Sequence, residues 1–178
     1  MTTYVALLRA VNVGGRAVPM ADLRAMLAGA GFDDVRTLLQ SGNAVFRSTA
    51  RSATRIEDTL TAEAAHALGL QTEFFVRSAA EWQAVVDANP FLAEAKNDPA
   101  RLVVVALKAE PAETTVAALR AAIVGRETVA AGAKHAYVYY PDGQGESKLT
   151  LKVIERRLGV SGTARNWNTV LKLAALLT

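Results

Sequence analysis

The sequence predicts an α+β fold: two tandem ferredoxin-like (βαββαβ) halves with an extra C-terminal helix. Three observations predict it. Two short apolar runs, residues 4–9 and 102–107, each open the same series of elements, strand–helix–strand–strand–helix–strand. Each first helix is entered through a proline, Pro19 or Pro111, and glycine follows all four helices, at Gly31, Gly69, Gly125 and Gly159. A stretch with two prolines, residues 89–100, separates the two series. The expected division is 1–78 for the first half, 79–100 for a helical linker, and 101–178 for the second half with its terminal helix. The halves share element order rather than a letter-by-letter repeat.

Residues 4–9 are apolar at successive positions, as in a strand buried on both faces. Gly14-Gly15 interrupts them. After Pro19, Met20, Leu23, Met26, Leu27 and Ala30 form the apolar stripe of a helix. Strands follow at 35–39 and 44–47, joined by a turn at Ser41-Gly42-Asn43. Ile56, Leu60, Ala64 and Ala67 align along a helix over 53–68, and residues 72–77 return as a strand. Residues 79–88 read as helix, stopped by Asn89-Pro90. In the second series, Val116, Leu119 and Ile123 line the helix that Pro111 opens. A hairpin follows, 128–131 and 135–140, turning at Gly132-Ala133-Lys134. Leu151, Ile154 and Leu158 mark a helix over 149–158. A strand at 160–164 and a helix at 167–177 end the chain.

A half-buried strand alternates apolar and polar residues; both first strands do not. Both of their faces are therefore expected to be covered, by the other half or by a second copy. Aliphatic residues there also argue against an open platform for single-stranded nucleic acid, which needs bare aromatics.

The chain has 178 residues, 51% hydrophobic and 21% charged, which suits a packed core. With no cysteine there is no disulfide, thiolate metal site or thiol nucleophile, and two histidines speak against a histidine-rich metal site. Net charge is +3, with 8 Lys+Arg against 9 Asp+Glu through residue 89 and 12 against 8 after it. That balance permits an anionic partner through long-range steering, and a solvated arginine-rich surface explains it as well. No apolar run approaches the roughly 20 residues that span a bilayer. No basic leader or small-residue cleavage site opens the chain, so a cytoplasmic protein without membrane contact is expected. Neither a Gly-x-Ser-x-Gly elbow nor a P-loop occurs, and Val13-Gly14-Gly15-Arg16 does not meet the dinucleotide fingerprint. Carboxylates are dispersed, without an acid–base pair. No cofactor or metal is expected, and whether the protein is an enzyme stays open.

Two polar clusters emerge from the topology. In a βαββαβ unit the first strand ends beside the turn joining strands two and three. Arg9, Asn12, Gly14 and Gly15 should thus lie near Gln40, Ser41, Gly42 and Asn43. Glycines let backbone N–H groups approach a ligand and can build an anion nest. The same Ser-Gly-Asn is also ordinary hairpin chemistry. The second cluster is C-terminal: Arg165, Asn168 and Lys172, at i, i+3 and i+7, share one face of the last helix. Val170, Leu171, Ala174 and Leu177 are expected on its buried side. Arg165-Asn166 sits at the helix start, which favours an anion, with Asn166 as N-cap the alternative. Ser147-Lys148 is expected to begin the preceding helix at the same end; a cap plus a solvated lysine explains it equally. Trp167 and His66 read as structural. Tyr137 and Tyr139 share a strand face with His135, which fits a packed sheet face better than a base-stacking surface.

Five motifs carry a resemblance: residues 4–15 (Tyr-Val-Ala-Leu-Leu-Arg-Ala-Val-Asn-Val-Gly-Gly), Met20-Ala-Asp-Leu-Arg24, Gln40-Ser-Gly-Asn43, Ser147-Lys-Leu149 and residues 163–169 (Thr-Ala-Arg-Asn-Trp-Asn-Thr). Together they resemble the bacterial family called domain of unknown function 1697, over almost the whole chain. Ala10 and Val11 stand where glycine and isoleucine are more usual in that family. The resemblance implies two tandem ferredoxin-like halves and supplies no activity, cofactor or catalytic residue. Its polar signature falls on the two clusters. The resulting reading is binding of a small phosphorylated or carboxylated ligand through Arg9, Asn12, Gly14, Gly15, Gln40, Ser41, Asn43, Lys148, Arg165, Asn166, Asn168 and Lys172. Nucleic-acid binding, or a structural role such as a homodimer, are the alternatives.

Overall fold

Tyr4–Leu8 and Leu102–Leu107 offer no polar side chain beyond a tyrosine hydroxyl, as suits a strand enclosed on both sides. The computed structural model, which describes residues 1–9, 18–38 and 42–178, places them so. The fold is α+β, with two four-stranded antiparallel sheets and seven α-helices among the described residues. The elements of the first series are β1 (Thr2–Leu8), α1 (Met20–Gly29), β2 (Asp33–Leu38), β3 (Asn43–Ser48), α2 (Ala53–Leu68), β4 (Phe74–Ser78) and α3 (Ala79–Asp87). A short helix α4 (Leu92–Asn97) and a 3-10 turn (Pro99–Arg101) lead on. The second series is β5 (Leu102–Leu107), α5 (Glu113–Ala121), β6 (Thr128–Ala131), β7 (His135–Tyr139), α6 (Leu151–Leu158), β8 (Gly162–Asn166) and α7 (Trp167–Leu176). Sheet order is β2-β3-β1-β4 in the first and β6-β7-β5-β8 in the second. The chain divides into two compact units, Met1–Ala84 with Leu173–Thr178, and Val85–Lys172.

In the first unit Tyr4, Ala6, Leu8, Phe46, Phe74 and Val76 form one core with Leu23, Leu27, Ile56 and Leu60 of α1 and α2. The residues between them, Val5, Leu7, Val45 and Phe75, are buried as well, so both faces of β1 are closed to water. In the second unit Val103, Val105, Leu107 and Val138 pack with Val116, Leu119, Ile154 and Leu158. Leu102, Val104, Ala106 and Tyr137 on the other face are equally buried.

The repeat, invisible as continuous letters, becomes visible in register. Asn43 opens β3 opposite Leu7, and His135 opens β7 opposite Ala106, so Leu7 and Ala106 correspond. Val5 and Val104 then correspond, and each lies opposite an arginine of the fourth strand, Arg77 and Arg165. Both arginines are buried. Both turn Nη1 back onto the carbonyl of the preceding residue, Val76 at 2.9 Å and Ala164 at 2.8 Å. The next residue caps the next helix: Ser78 Oγ accepts from Glu81 N at 3.2 Å, and Asn166 Oδ1 from Thr169 N at 3.0 Å. The terminal helix expected as an addition thus has a counterpart, α3. Likewise α2 and α6 start from Ser52 and Thr150, whose hydroxyls accept from Arg55 N and Val153 N. Both helices carry Ile-Glu-x-x-Leu over residues 56–60 and 154–158, starting four positions after the cap.

Three expectations are corrected. The helix expected from residue 149 starts at Leu151, because Thr150 supplies the cap, so Ser147-Lys148 lies in the preceding loop. The last strand, expected at 160–164, runs through Asn166, because β5 is long enough to pair with it as far as Val103. The buried stripe of α7 is Trp167, Val170 and Leu173; Leu171, expected inside, is 43% exposed, and Ala174 is half-buried.

On the outer edge of β4, Val76 N donates to Glu57 Oε1 at 2.9 Å, and Arg77 Nη1 lies 3.8 Å from the same oxygen. Burial lowers the Arg77 pKa, which Glu57 and Glu81 oppose. Glu57→Ala would remove both the acceptor and the countercharge. Breaking such a pair costs about 3–5 kcal/mol, read as a lower urea midpoint; a loss below about 1 kcal/mol would refute this account. A second expectation concerns Tyr137 and Tyr140, whose hydroxyls donate to Val85 O at 2.5 Å and Leu149 O at 2.9 Å. Burial pushes both phenols up to about 12 from 10.0. The folded state holds them neutral, so their contribution is intact below pH 10 and is lost as pH rises towards 12. Tyrosinate absorbance should show these two ionising last, together with alkaline unfolding.

Candidate functional site

The antiparallel pairing of β1 with both β3 and β4 determines what meets at the end of β1. Leu8 N donates to Gly42 O at 2.9 Å, and Arg9 N to Glu73 O at 3.0 Å. Arg9 therefore stands beside the β2–β3 connection on one side and the start of β4 on the other, as the topology requires. Its Nη1 donates to Glu73 Oε2 at 2.8 Å, with the side chains 31% and 42% exposed. Thr72 Oγ1 donates to Arg9 O at 2.6 Å. Arg9, Gln71, Thr72 and Glu73 line a shallow hollow of about 360 Å³. Asn43 is fully buried, and its Nδ2 donates to Leu38 O at 2.8 Å, so it closes its own hairpin. Asn12, Gly14, Gly15, Gln40 and Ser41 lie outside the described residues.

The C-terminal cluster does not form the single stripe expected. Arg165 sits in β8 rather than on α7, and its Nη1 donates to Thr163 Oγ1 and Ala164 O, both at 2.8 Å. Burial pushes its guanidinium down to about 10. Asn166 is the N-cap of α7. Asn168 and Lys172, one turn apart, share the exposed side of that helix.

Lys148 belongs to a different place. Residues 140–150 connect β7 to α6 where 49–52 connect the corresponding strand and helix of the first unit. This longer loop walls a cleft of about 290 Å³, lined by Ile123, Gly125, Glu127, Asp142, Ser147, Lys148 and Val153 among others. Ser147 Oγ donates to Glu127 Oε1 at 2.6 Å and accepts from Leu149 N at 3.0 Å, clamping the loop to β6. Gly125 makes room for that carboxylate, since a Cβ there would lie 2.5 Å from Glu127 Oε2. Asp142 pairs with Arg126, which holds its carboxyl below the usual range.

Glu73, Thr72, Glu127 and Asp142 were not singled out in the sequence. Glu73 is the one with a signal: the fourth strand runs antiparallel to the first, so its start meets Arg9. Every phenylalanine, tyrosine and tryptophan is buried or half-buried, and Trp167 is core. Among the described residues no group of three or more His, Cys, Asp and Glu could hold a metal ion, and no helix is long and apolar enough to cross a membrane.

A model of the family described as "Protein of unknown function (DUF1697)" matches residues 1–137, and the chain belongs to that family. No curated protein matches it. Among solved structures it is similar to that of conserved bacterial protein SP0830 from Streptococcus pneumoniae. The TM-score is 0.76 at 26% identity, over 99% of this chain and 98% of that one.

Ser147→Ala would release the loop from Glu127 and leave the Leu149 amide without its hydroxyl acceptor. Hydrogen exchange at Leu149 should accelerate about tenfold, the equivalent of about 1.4 kcal/mol. Unchanged exchange would mean that the clamp does not hold the loop.

Proposed function

We propose that this member of the family binds a small anionic ligand, phosphorylated or carboxylated, at the end of the first sheet, with Arg9 as principal contact. We also read each βαββαβ series as a ferredoxin-like half; the repeated strand order and the shared register of Leu7 and Ala106 support that reading.

The observation that carries the binding reading is the pair of hydrogen bonds Leu8 N–Gly42 O and Arg9 N–Glu73 O. They set a partly exposed guanidinium between the ends of two polar connections, at the edge of a hollow. A guanidinium offers its donors in a planar fork that matches carboxylate and phosphate oxygens. Glu73 engages one arm of that fork and keeps the head group oriented. An arriving anion competes with Glu73, so the site favours ligands with more than one acceptor oxygen. The second cluster contributes less: Arg165 and Asn166 serve the sheet and the helix cap, while Asn168 and Lys172 add solvated polarity on α7. Enclosure of the aromatic side chains disfavours base stacking, and hence the nucleic-acid alternative.

Melting temperatures measured with phosphate, nucleotides and organic acids test this. A ligand at a hundredfold excess over its Kd stabilises the native state by about 2.7 kcal/mol. At least one anion should raise Tm, Arg9→Ala should abolish the rise, and Glu73→Gln should enlarge it. The reading falls if no anion moves Tm, or if Arg9→Ala responds like the parent.

A further inference from the structure

The cleft of the second unit lies where two helix ends of opposite polarity meet. Ala122–Gly125, the residues that follow α5, line it on one side, and Val153, in the first turn of α6, lines it as well. Peptide dipoles leave the end of α5 partly negative and the start of α6 partly positive. The loop over 140–150 that walls the cleft is held by its own bonds. Gly143 N donates to Tyr140 O at 3.0 Å, Ser147 N to Gln144 O at 3.2 Å, and Tyr140 Oη to Leu149 O at 2.9 Å, in addition to the Ser147–Glu127 clamp. Of the charged side chains in the lining, Glu127 is engaged by Ser147 and Asp142 by Arg126. Glu146 and Lys148, one of each sign, have no hydrogen bond or ion pair among the described residues. The rest of the lining is largely aliphatic. Ile123 and Val153 pack on the second core yet stay half-buried, and Val124 is 78% exposed.

We propose that this cleft binds a free amino acid with an aliphatic side chain, with Lys148 on its carboxylate, Glu146 on its ammonium, and Ile123, Val124 and Val153 around its side chain. This goes beyond the Arg9 reading and does not rest on it: the residues belong to the other unit, and the ligand needs a cationic group as well as an anionic one. An amino acid carries opposite charges on one carbon, and the cleft offers opposite charges two residues apart in one loop. A ligand with only negative charge meets Glu127, Asp142 and Glu146 against a single lysine in the lining. A ligand with only positive charge leaves Lys148 unmatched. The volume of about 290 Å³ lies at the lower end of the roughly 300–1,000 Å³ of small-molecule sites, which suits a ligand of this size. Aliphatic side chains with a few charged groups are the usual division between affinity and orientation in such a site. In the first unit the corresponding connection spans only 49–52, so the wall that carries Glu146 and Lys148 has no counterpart there.

The test is titration of the ¹⁵N-labelled full chain at neutral pH and constant ionic strength with L-leucine and with its two charged halves, isoamylamine and 4-methylpentanoate. With leucine the amides of Gly125, Ser147, Lys148 and Val153 should shift and saturate. Each half should bind there at least about tenfold more weakly, and glycine, which lacks the aliphatic body, should not saturate. Lys148→Ala should weaken leucine binding about tenfold and leave that of isoamylamine unchanged. Glu146→Gln should weaken leucine and leave 4-methylpentanoate unchanged. Both side chains are exposed, so neither variant disturbs the core. Arg9→Ala should bind leucine like the parent. The proposal is overturned if these amides show no saturable shift with leucine, if either half binds as tightly as leucine, or if both loop variants keep the parent affinity. An Arg9-dependent rise of Tm with an anion, together with silence at these amides, refutes this site alone; leucine binding here without any such rise refutes only the Arg9 reading.

Discussion

Two strands that water does not reach constrain where polar side chains can stand among the described residues. Val5–Leu8 and Leu102–Leu107 are buried on both faces, and each has a hydrogen-bonded neighbour on both sides. Such a strand satisfies its backbone in the ladder and has no place for an unpartnered polar side chain. Polar chemistry is therefore displaced to two kinds of position. One is the end of the central strand, where Arg9 and Lys108 stand. The other is the edge strand beside it, where Arg77 and Arg165 lay apolar stems along the sheet and bond their head groups to carbonyls.

The edge arginine of the first unit has a physical explanation. Ile56, four residues after the cap of α2, faces the sheet, and Glu57 follows it beside β4, within reach of the outward N–H of Val76. A carboxylate there needs a cation close by, and the next residue of the strand supplies it. The Ile-Glu-x-x-Leu spacing recurs in α6 together with Arg165 in β8. Among the described residues the units differ in the length of the second helix, 16 residues in α2 against 8 in α6, and in the connection before it, 49–52 against 140–150. Loops on a duplicated frame can lengthen at little thermodynamic cost, since closure entropy grows only slowly with length.

The frame was legible because its signals are local and repeated: unbroken apolar runs, proline at helix entries, and glycine at the exits of α2 and α6, although α1 and α5 end on Ala30 and Ala122. The meeting of Arg9 with the β2–β3 connection followed from topology alone. What was not legible depended on competition between elements. Leu149 extends the helical stripe on paper, yet its carbonyl is held by Tyr140 and the helix starts only after the cap that the next residue, Thr150, supplies. Arg165-Asn166 resembles a helix start; pairing with β5 keeps both residues in a strand. Leu171 belongs to an apolar stripe counted from Val170, whereas Trp167 anchors the helix and rotates Leu171 outward. The Arg9–Glu73 pair spans 64 residues, and only the strand register brings it together.

That pair also shows why the two units need not treat an anion alike. A salt bridge with both partners about a third exposed contributes roughly 0–1 kcal/mol after screening and side-chain entropy. Glu73 is therefore a poor explanation of stability, and a good explanation of orientation: it holds the Arg9 fork in place while remaining weak enough to be displaced. Ser161 at the corresponding position brings no charge, so the two strand ends differ in their chemistry. In the second unit the fixed arginine lies one row deeper, where Arg165 is held by Thr163.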